Sequence, residues 1–412
     1  MRRLLLDLRR AVASPARNPR KAVVIGRLLG SAFVLCFLTG LVSHYLQHPE
    51  PWMAWTPRPE WGYQLNQGVH VTTGLLCIPL LLAKLWVVYP DLFRLPLIGG
   101  LGSVLERGSI AIFVGSTLVQ LAIGVLNTYQ FLPLPFYFLQ VHFALSFVIL
   151  GSLALHIAVK LPIISRYWRR PADGDEGALE VPEQVPEPAI AAPPGRGVTG
   201  RAMAFIDATP APPAKVSRRG LLAGVGLSAA ALLMLTVGQT LTPLDPLNLF
   251  APRKKGTGPQ GLLVNRTSAQ AGVADAATDA AWALTVTNGE RTIALTRAQL
   301  LALPQIDAAL PIACVEGWSQ TATWRGVRLR ELVGLVDADP GAELEIRSLE
   351  RKGAYKTTRM AAEYVRDDET MVALAVNGEP LHLEHGYPAR ILAPGRPGVL
   401  QTKWLDTIEV RA

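Results

Sequence analysis

The sequence predicts a membrane-embedded all-α region, a four-helix bundle plus one anchor helix, followed by a soluble α+β domain. Three observations carry that prediction. Half of the 412 residues are hydrophobic and 17% are charged, below the roughly one quarter charged that is usual for globular chains. Five apolar runs cover residues 22–43, 68–89, 108–127, 141–163 and 220–241, each about the 20 residues that a bilayer requires. From about Gly256 onward the composition changes to that of an ordinary soluble domain, with strand and turn signals.

Residues 1–21 form a basic segment in which Arg2, Arg3, Arg9, Arg10, Arg17, Arg20 and Lys21 face one acid, Asp7; such a segment stays cytoplasmic. Residues 22–164 hold the four spanning helices. The first loop carries Arg58 with Trp52, Trp55 and Trp61, as an outer interface does, and Arg94 and Arg107 flank the return loop inside. Thr128–Gln140 carries no charge and belongs outside, whereas Arg166, Arg169 and Arg170 follow the fourth helix inside. Both ends of the four-helix unit are therefore expected in the cytoplasm. Residues 165–216, rich in Pro, Ala, Gly and acids, read as a cytoplasmic linker too polar to bury a core.

Residues 217–242 supply the fifth helix. It opens Ser217-Arg218-Arg219-Gly220-Leu221-Leu222, which resembles a twin-arginine export signal and is also what an ordinary basic helix flank looks like. Either reading places the rest of the chain outside. The export reading adds the twin-arginine machinery as a partner and a domain folded before it crosses.

Residues 256–412 form the soluble domain. Trp282–Val286 and Arg291–Leu295 read as strands joined at Asn288-Gly289, and Thr296 as the N-cap of a short helix to Leu303. Leu344–Leu349, Met371–Val376 and Leu405–Val410 read as further strands, and strands mixed with short helices indicate α+β. The net charge of +8 gathers beside the apolar runs, where it orients helices, so nucleic acid is not an expected partner. Three cysteines build no disulfide framework. Cys36 and Cys77 lie in apolar runs and read as packing residues, which leaves Cys314 as the one thiol of the soluble domain.

His44, His48, His70, His142 and His156 fall in or beside the helices, and ligand-capable groups at such depth mark function. His142 and His156 stand on one face, close to four turns and about 21 Å apart. His70 lies level with His142, and two facing imidazoles can hold one b-type haem iron. The set resembles the four-helix di-haem cytochrome b subunits of bacterial formate dehydrogenases and hydrogenases. That resemblance implies an outer haem on His70 and His142 and an inner one on His156. The inner site lacks a histidine partner on the first helix, where Arg27 stands, with Lys84 at the same depth on the second. His44, at the outer end, either serves the outer haem or bonds at the interface. One haem is expected and a second stays open.

In the soluble domain, Ile312-Ala-Cys314-Val-Glu316-Gly317-Trp318-Ser319 is followed by Trp324-Arg-Gly326-Val-Arg-Leu329. Later come Asn377-Gly-Glu-Pro380-Leu, His385-Gly386-Tyr-Pro388-Ala-Arg390, Pro394-Gly395 and Lys403-Trp404. Over residues 262–411 this order resembles the molybdopterin-dependent oxidoreductases of the sulfite oxidase fold, in the bacterial branch that includes the periplasmic methionine sulfoxide reductase. The resemblance implies that the Cys314 thiolate ligates molybdenum beside the two dithiolene sulfurs of the pterin, a soft ligand for a thiophilic metal. Arg390 and Lys403 suit the pterin phosphate, and His385 suits a donor to phosphate or pterin. Gly386, Gly395 and Gly398 suit close backbone approach to the cofactor. Gln401, Thr402, Ser348 and Asn265 complete the expected cofactor contacts.

Two departures bear on function. Glu316-Gly317-Trp318 stands where sulfite-oxidising members carry a glycine, an asparagine and arginines, and no immunoglobulin-like dimerisation domain follows, so a monomeric catalytic unit is expected. The expected activity is two-electron oxygen-atom transfer with molybdenum cycling between its IV and VI states. Its substrate is a small sulfoxide-like molecule outside the membrane, with electrons from the quinone pool or another membrane donor through haem. The alternatives are a dehydrogenase of sulfite or another small oxyanion passing electrons inward, and a non-catalytic cofactor-binding or sensing domain on an anchor.

Overall fold

The computed structural model describes residues 19–50, 52–53, 55–88, 101–130, 138–168, 218–289 and 291–411. The basic N-terminal segment to residue 18, the linker from residue 169 and Ser217 lie outside the described residues.

Five long helices come first: α1 Pro19–Gln47, α2 Gly62–Val88, α3 Leu101–Thr128, α4 Phe138–Arg166 and α5 Arg218–Thr236. All five are long and apolar enough to cross a membrane, with mean hydropathies of 2.0 to 2.1 in their most apolar stretches. Leu28, Leu38, Leu82, Leu105, Ile112, Leu155, Leu161 and Leu227 are more than half exposed on them. Apolar surface of that extent is not stable against water and calls for lipid. α1 to α4 run several residues beyond the apolar runs read from sequence. α5 instead stops at Thr236, short of the expected 241, and passes into the 3-10 turns Val237–Gln239 and Thr242–Leu247. Pro243 and Pro246, which have no N–H, keep the chain from resuming an α-helix after those turns.

The chain divides into two compact units. One comprises Met1–Val34, Gly74–Gly124 and Leu134–Leu232; the other Leu35–Thr73, Val125–Pro133 and Leu233–Ala412. In the first, Ile25, Leu29 and Ala32 of α1 pack with Cys77, Leu80 and Leu81 of α2 and with Leu221 and Val225 of α5. The two cations noted at inner depth are turned to backbone carbonyls. Lys84 Nζ donates to Ala22 O (2.6 Å), and Arg27 donates to Trp168 O (3.2 Å) with its guanidinium over the Trp168 ring.

In the second unit the polypeptide after α5 folds into two five-stranded sheets with short helices, an α+β arrangement. The first sheet is built from β1 Ala283–Asn288, β2 Arg291–Thr296, β5 Glu343–Ser348, β6 Thr357–Met360 and β10 Leu405–Arg411, in the order β2-β1-β10-β5-β6. The second is built from β3 Ile306–Ala313, β4 Ser319–Arg328, β7 Met371–Val376 and β8 Glu379–Pro380 in that order, with β9 Arg390–Leu392 paired to β7. β1 and β2 form the expected hairpin, with Asn288 opposite Arg291 and Gly289 at φ 58°, the left-handed geometry that this turn demands. Thr296 caps the helix Arg297–Ala302 through a reciprocal bond pair with Gln299.

Leu284, Val286, Leu344, Ile346 and Ile408 of the first sheet pack with Leu332 and Val333 into one core, and Leu310, Trp324, Met371, Ala373 and Leu392 form a second. Gly326 lets β4 and β7 meet, because a side chain there would strike the Val372 carbonyl. β3 and β4 pair from Ile306–Gly326 to Ala313–Ser319. Their connection is the segment that contains Cys314.

Candidate active site

The turn between β3 and β4 is short and closed on itself. Cys314 N donates to Trp318 O (2.8 Å) and Gly317 N to Cys314 O (3.1 Å). Gly317 takes φ 86°, a conformation that costs glycine little. Cys314 is 1% exposed and packs against Leu263 and Trp318. Glu316 is buried beside it, accepting from Trp318 Nε1 (2.9 Å) and pairing with Arg253 (3.2 Å).

Burial pushes the Cys314 thiol well above its ordinary value, and the Glu316 charge adds to the rise. The Glu316 backbone N–H, which faces the sulfur, pulls the other way, as do the charges of Arg253 and Lys403. Burial also raises the Glu316 carboxyl, with Arg253 and the Trp318 indole opposing it. A thiol so placed holds its proton unless a metal cation takes the proton's place.

The other groups of this loop are gripped from outside the hairpin. Val315 O accepts from Gln67 Nε2 of α2 (3.3 Å) and from Asn127 Nδ2 of α3 (3.3 Å). Gly317 O accepts from Thr240 Oγ1, and a side chain at Gly317 would lie 2.9 Å from Val71. Gln67, Asn127, Thr240 and Arg253 carry no motif that sequence reasoning could have singled out. Their role arises from contacts between segments far apart in the chain.

Arg390 and Lys403 come together around Gly386, where a Cβ would sit 3.1 Å from the Cβ of each. Arg390 is 3% exposed, donates to His385 O (3.1 Å) and Gln401 O (3.2 Å), and lies over the Trp324 ring. Lys403 Nζ donates to Arg266 O (2.6 Å) and Glu384 O (3.0 Å). Among the described residues neither cation has a carboxylate within ion-pair reach. Glu384 is held by Ser268 and Glu350 by Arg266. Arg390 Nε is buried with no hydrogen-bond partner.

The electrostatic consequence is large. Burial lowers Arg390 to about 9. Burial first, and the Arg390 charge second, lower Lys403 to about 7. Glu384 and Glu350 oppose that fall from a distance. A buried pair of cations without a carboxylate in contact among the described residues is nevertheless costly, and an anion bound between them removes the cost. A pterin phosphate fits that requirement.

The remaining expected contacts are placed differently. His385 Nε2 lies 2.7 Å from Pro259 O, so its N–H is engaged within the protein; burial takes the ring down to about 4, and it is neutral. Ser348 Oγ donates to Lys403 O, and Asn265 Oδ1 accepts from Arg266 N. Thr402 Oγ1 lies 3.0 Å from Thr358 Oγ1. Gln401 Nε2 donates to Ala393 O and Arg396 O, while its Oε1 is buried without a partner. Gly395 and Gly398 serve chain packing, since a Cβ would fall 2.7 Å from Pro57 O and 2.8 Å from Ala313 O respectively. Arg396, which the sequence did not mark, is also buried and unpaired at Nη1.

The helix histidines have distinct settings. His70 Nδ1 lies 2.9 Å from Cys36 O, and its ring is pressed against Gly40, where a Cβ would be 2.8 Å from Cε1. A ring nitrogen held by a backbone carbonyl is the arrangement that fixes metal-binding imidazoles. His142 lies tilted against the Phe138 ring and faces Gly124 of α3. His156 lies against Phe113, with Nδ1 buried and lacking a hydrogen bond among the described residues. His44 packs on His48 and Tyr45.

Residues 270–412 match the family described as the oxidoreductase molybdopterin binding domain. A protein of Azospira oryzae named as a protein-methionine-sulfoxide reductase subunit is 31% identical over 120 residues, 28% of this chain and 44% of that one. The catalytic subunit of a protein-methionine-sulfoxide reductase from Gluconobacter oxydans is 31% identical over 145 residues, 31% of this chain and 46% of that one. Sulfite oxidase of Arabidopsis thaliana is 31% identical over 114 residues, 23% of this chain and 29% of that one. The chain spans less than half the length of each of these relatives. Its C-terminal domain is a molybdopterin-binding oxidoreductase domain, with relatives named as reductases and as oxidases.

Proposed function

We propose that this chain is a membrane-anchored molybdenum oxidoreductase that reduces a small sulfoxide-like substrate, with electrons relayed to it through haem in its helices. The observation that carries the reading is the buried Arg390–Lys403 pair with no carboxylate in contact among the described residues, Lys403 lying within electrostatic reach of Cys314. Such a pair specifies an anion, and Cys314 offers the soft ligand that a molybdenum cofactor requires.

In this account Arg390 and Lys403 hold the pterin phosphate, with Gln401 Oε1 available as an acceptor. Cys314 ligates the metal, and Leu263 and Trp318 keep water from its sulfur. When bound, the molybdenum supplies two-electron chemistry between its IV and VI states. The net reaction takes two electrons and two protons into the sulfoxide and releases the sulfide and water. His385, neutral and fixed on Pro259, orients the segment that carries Arg390 instead of transferring a proton. The Glu316–Arg253 pair closes the cysteine turn.

The haem proposal rests on the setting of His70, with His142 as its partner, His156 as the candidate for a second haem and His44 as the alternative outer ligand. The four helices α1 to α4 would then act as a bundle with both ends in the cytoplasm. α5 would lead the domain outward, with the twin-arginine-like flank as its export signal and the quinone pool as the electron source. Relatives named for protein-methionine-sulfoxide reduction favour the reductive direction; the sulfite oxidase relative supports the reverse, oxidation of sulfite with electrons passed inward.

One experiment separates the two directions. The purified protein is reduced until its visible haem band is fully developed, then mixed with sulfoxides and, separately, examined from the oxidised state with sulfite. Reoxidation by sulfoxides supports the proposal. Haem reduction by sulfite with no response to sulfoxides reverses the direction, and an absent haem band removes the relay.

A further inference from the structure

Gln67 and Asn127 converge on one peptide group. Both donate to Val315 O, and the N–H of that same peptide unit, on Glu316, faces the Cys314 sulfur. Donors on a carbonyl polarise the amide and strengthen its N–H as a donor. The two helix residues thereby act on the sulfur through a single planar unit.

The orientation of Gln67 is fixed by a chain of bonds. Tyr355 Oη donates to Gln47 Oε1 (3.2 Å), Gln47 Nε2 donates to Ser43 Oγ (3.0 Å), and the Ser43 hydroxyl donates to Gln67 Oε1 (3.1 Å). With its oxygen committed to Ser43, Gln67 can present only its NH₂ to Val315. Ser43, Gln47 and Gln67 are all buried. Gln130 Nε2 donates to the backbone carbonyl of Asn127 (2.6 Å), at the end of α3.

We infer that Gln67 and Asn127, on helices long and apolar enough to cross a membrane, are positioning residues that tune the reduction potential of the metal held by Cys314. They do so by polarising the Val315–Glu316 peptide toward its sulfur. The inference rests on the proposed role of Cys314 as metal ligand. Hydrogen bonds to a ligating sulfur stabilise the more electron-rich, reduced state and raise the potential. Loss of either donor therefore disfavours reduction.

The test uses the full-length, cofactor-loaded protein, with redox titration followed by the paramagnetic resonance of molybdenum(V). Gln67→Met and Asn127→Leu should each lower the reduced-to-oxidised ratio at a fixed ambient potential by up to about twofold, since each removes a fraction, about 10–30%, of one hydrogen bond's strength. Gln67→Leu also removes the donor without adding a charge or an O–H; it should shift the same way, and it stands in if the methionine variant loses metal. Ser43→Ala, which frees the amide to flip, should give a smaller shift of the same sign. Unchanged potentials in Gln67→Leu and Asn127→Leu, with a resonance that Cys314→Ser alters, overturn the inference. A resonance that Cys314→Ser leaves untouched overturns instead the ligand role on which it rests.

Discussion

The cysteine turn and the basic pair are both buried, yet they are solved in opposite ways. In the turn, the Cys314 and Gly317 amides bond carbonyls of the turn itself, while the Val315 and Gly317 carbonyls and the Glu316 carboxylate are partnered by Gln67, Asn127, Thr240, Arg253 and Trp318. At the basic pair, among the described residues, Arg390 and Lys403 contact carbonyls and the Trp324 and Trp404 rings but no carboxylate, and Arg390 Nε has no hydrogen bond. A saturated cluster is built to hold geometry, whereas one that lacks counter-charge is built to receive it. The first region therefore identifies what is positioned and the second what is bound.

The contrast can be broken most directly at Cys314. Cys314→Ser should cost more than about two orders of magnitude in turnover, beyond the loss typical of outer-shell partners, while membrane insertion and the melting profile stay native. Next come the cations. Arg390→Met and Lys403→Met each remove a charge-assisted contact worth about 1.5–3 kcal/mol, so cofactor retention during gel filtration should fall by about tenfold to a hundredfold. The same substitutions should stabilise the cofactor-free protein, because they remove an unpaired buried charge.

The pH response sharpens this further. Lys403 sits at about 7 in the folded cofactor-free protein, against 10.5 for an ordinary lysine. Between those values the unfolded chain holds a proton that the folded chain lacks, so stability rises with pH across that window. The penalty is full below pH 7 and lifts as pH approaches 10.5. Cofactor-free Lys403→Met should therefore melt above the parent protein at pH 6, by a margin that shrinks between pH 7 and 10. Cofactor binding should flatten the trend, since the phosphate supplies the missing charge. The smallest effect belongs to Arg58, a half-exposed side chain paired with Asp367 (3.0 Å) and Glu369 (2.6 Å). Arg58→Ala should lower stability by less than about 1 kcal/mol in a thermal melt.

Much of the fold is legible in the residues themselves. The five helices follow from apolar length, β1 and β2 from alternation around Asn288-Gly289, and the Thr296 cap from its Gln299 partner. β3 and β4 escaped notice because Pro311, Gly326 and small residues weaken their strand pattern; pairing with β7 overrides it. Cys314, Arg390 and Lys403 stand out in sequence because each is chemically specific. The partners that His385 and Thr402 have within the protein are not legible in sequence, since they are set by tertiary neighbours such as Pro259 and Thr358. Gln67 and Asn127 carry no local signal at all, as their meaning lies in meeting a loop about 190 to 250 positions away.

X-ray absorption at the molybdenum edge of the purified full-length protein tests the central claim most directly. The account predicts molybdenum bound in proportion to protein, and one fewer sulfur ligand in Cys314→Ser than in the parent. A protein that purifies folded without molybdenum, or a metal whose sulfur count is the same in both, would contradict it.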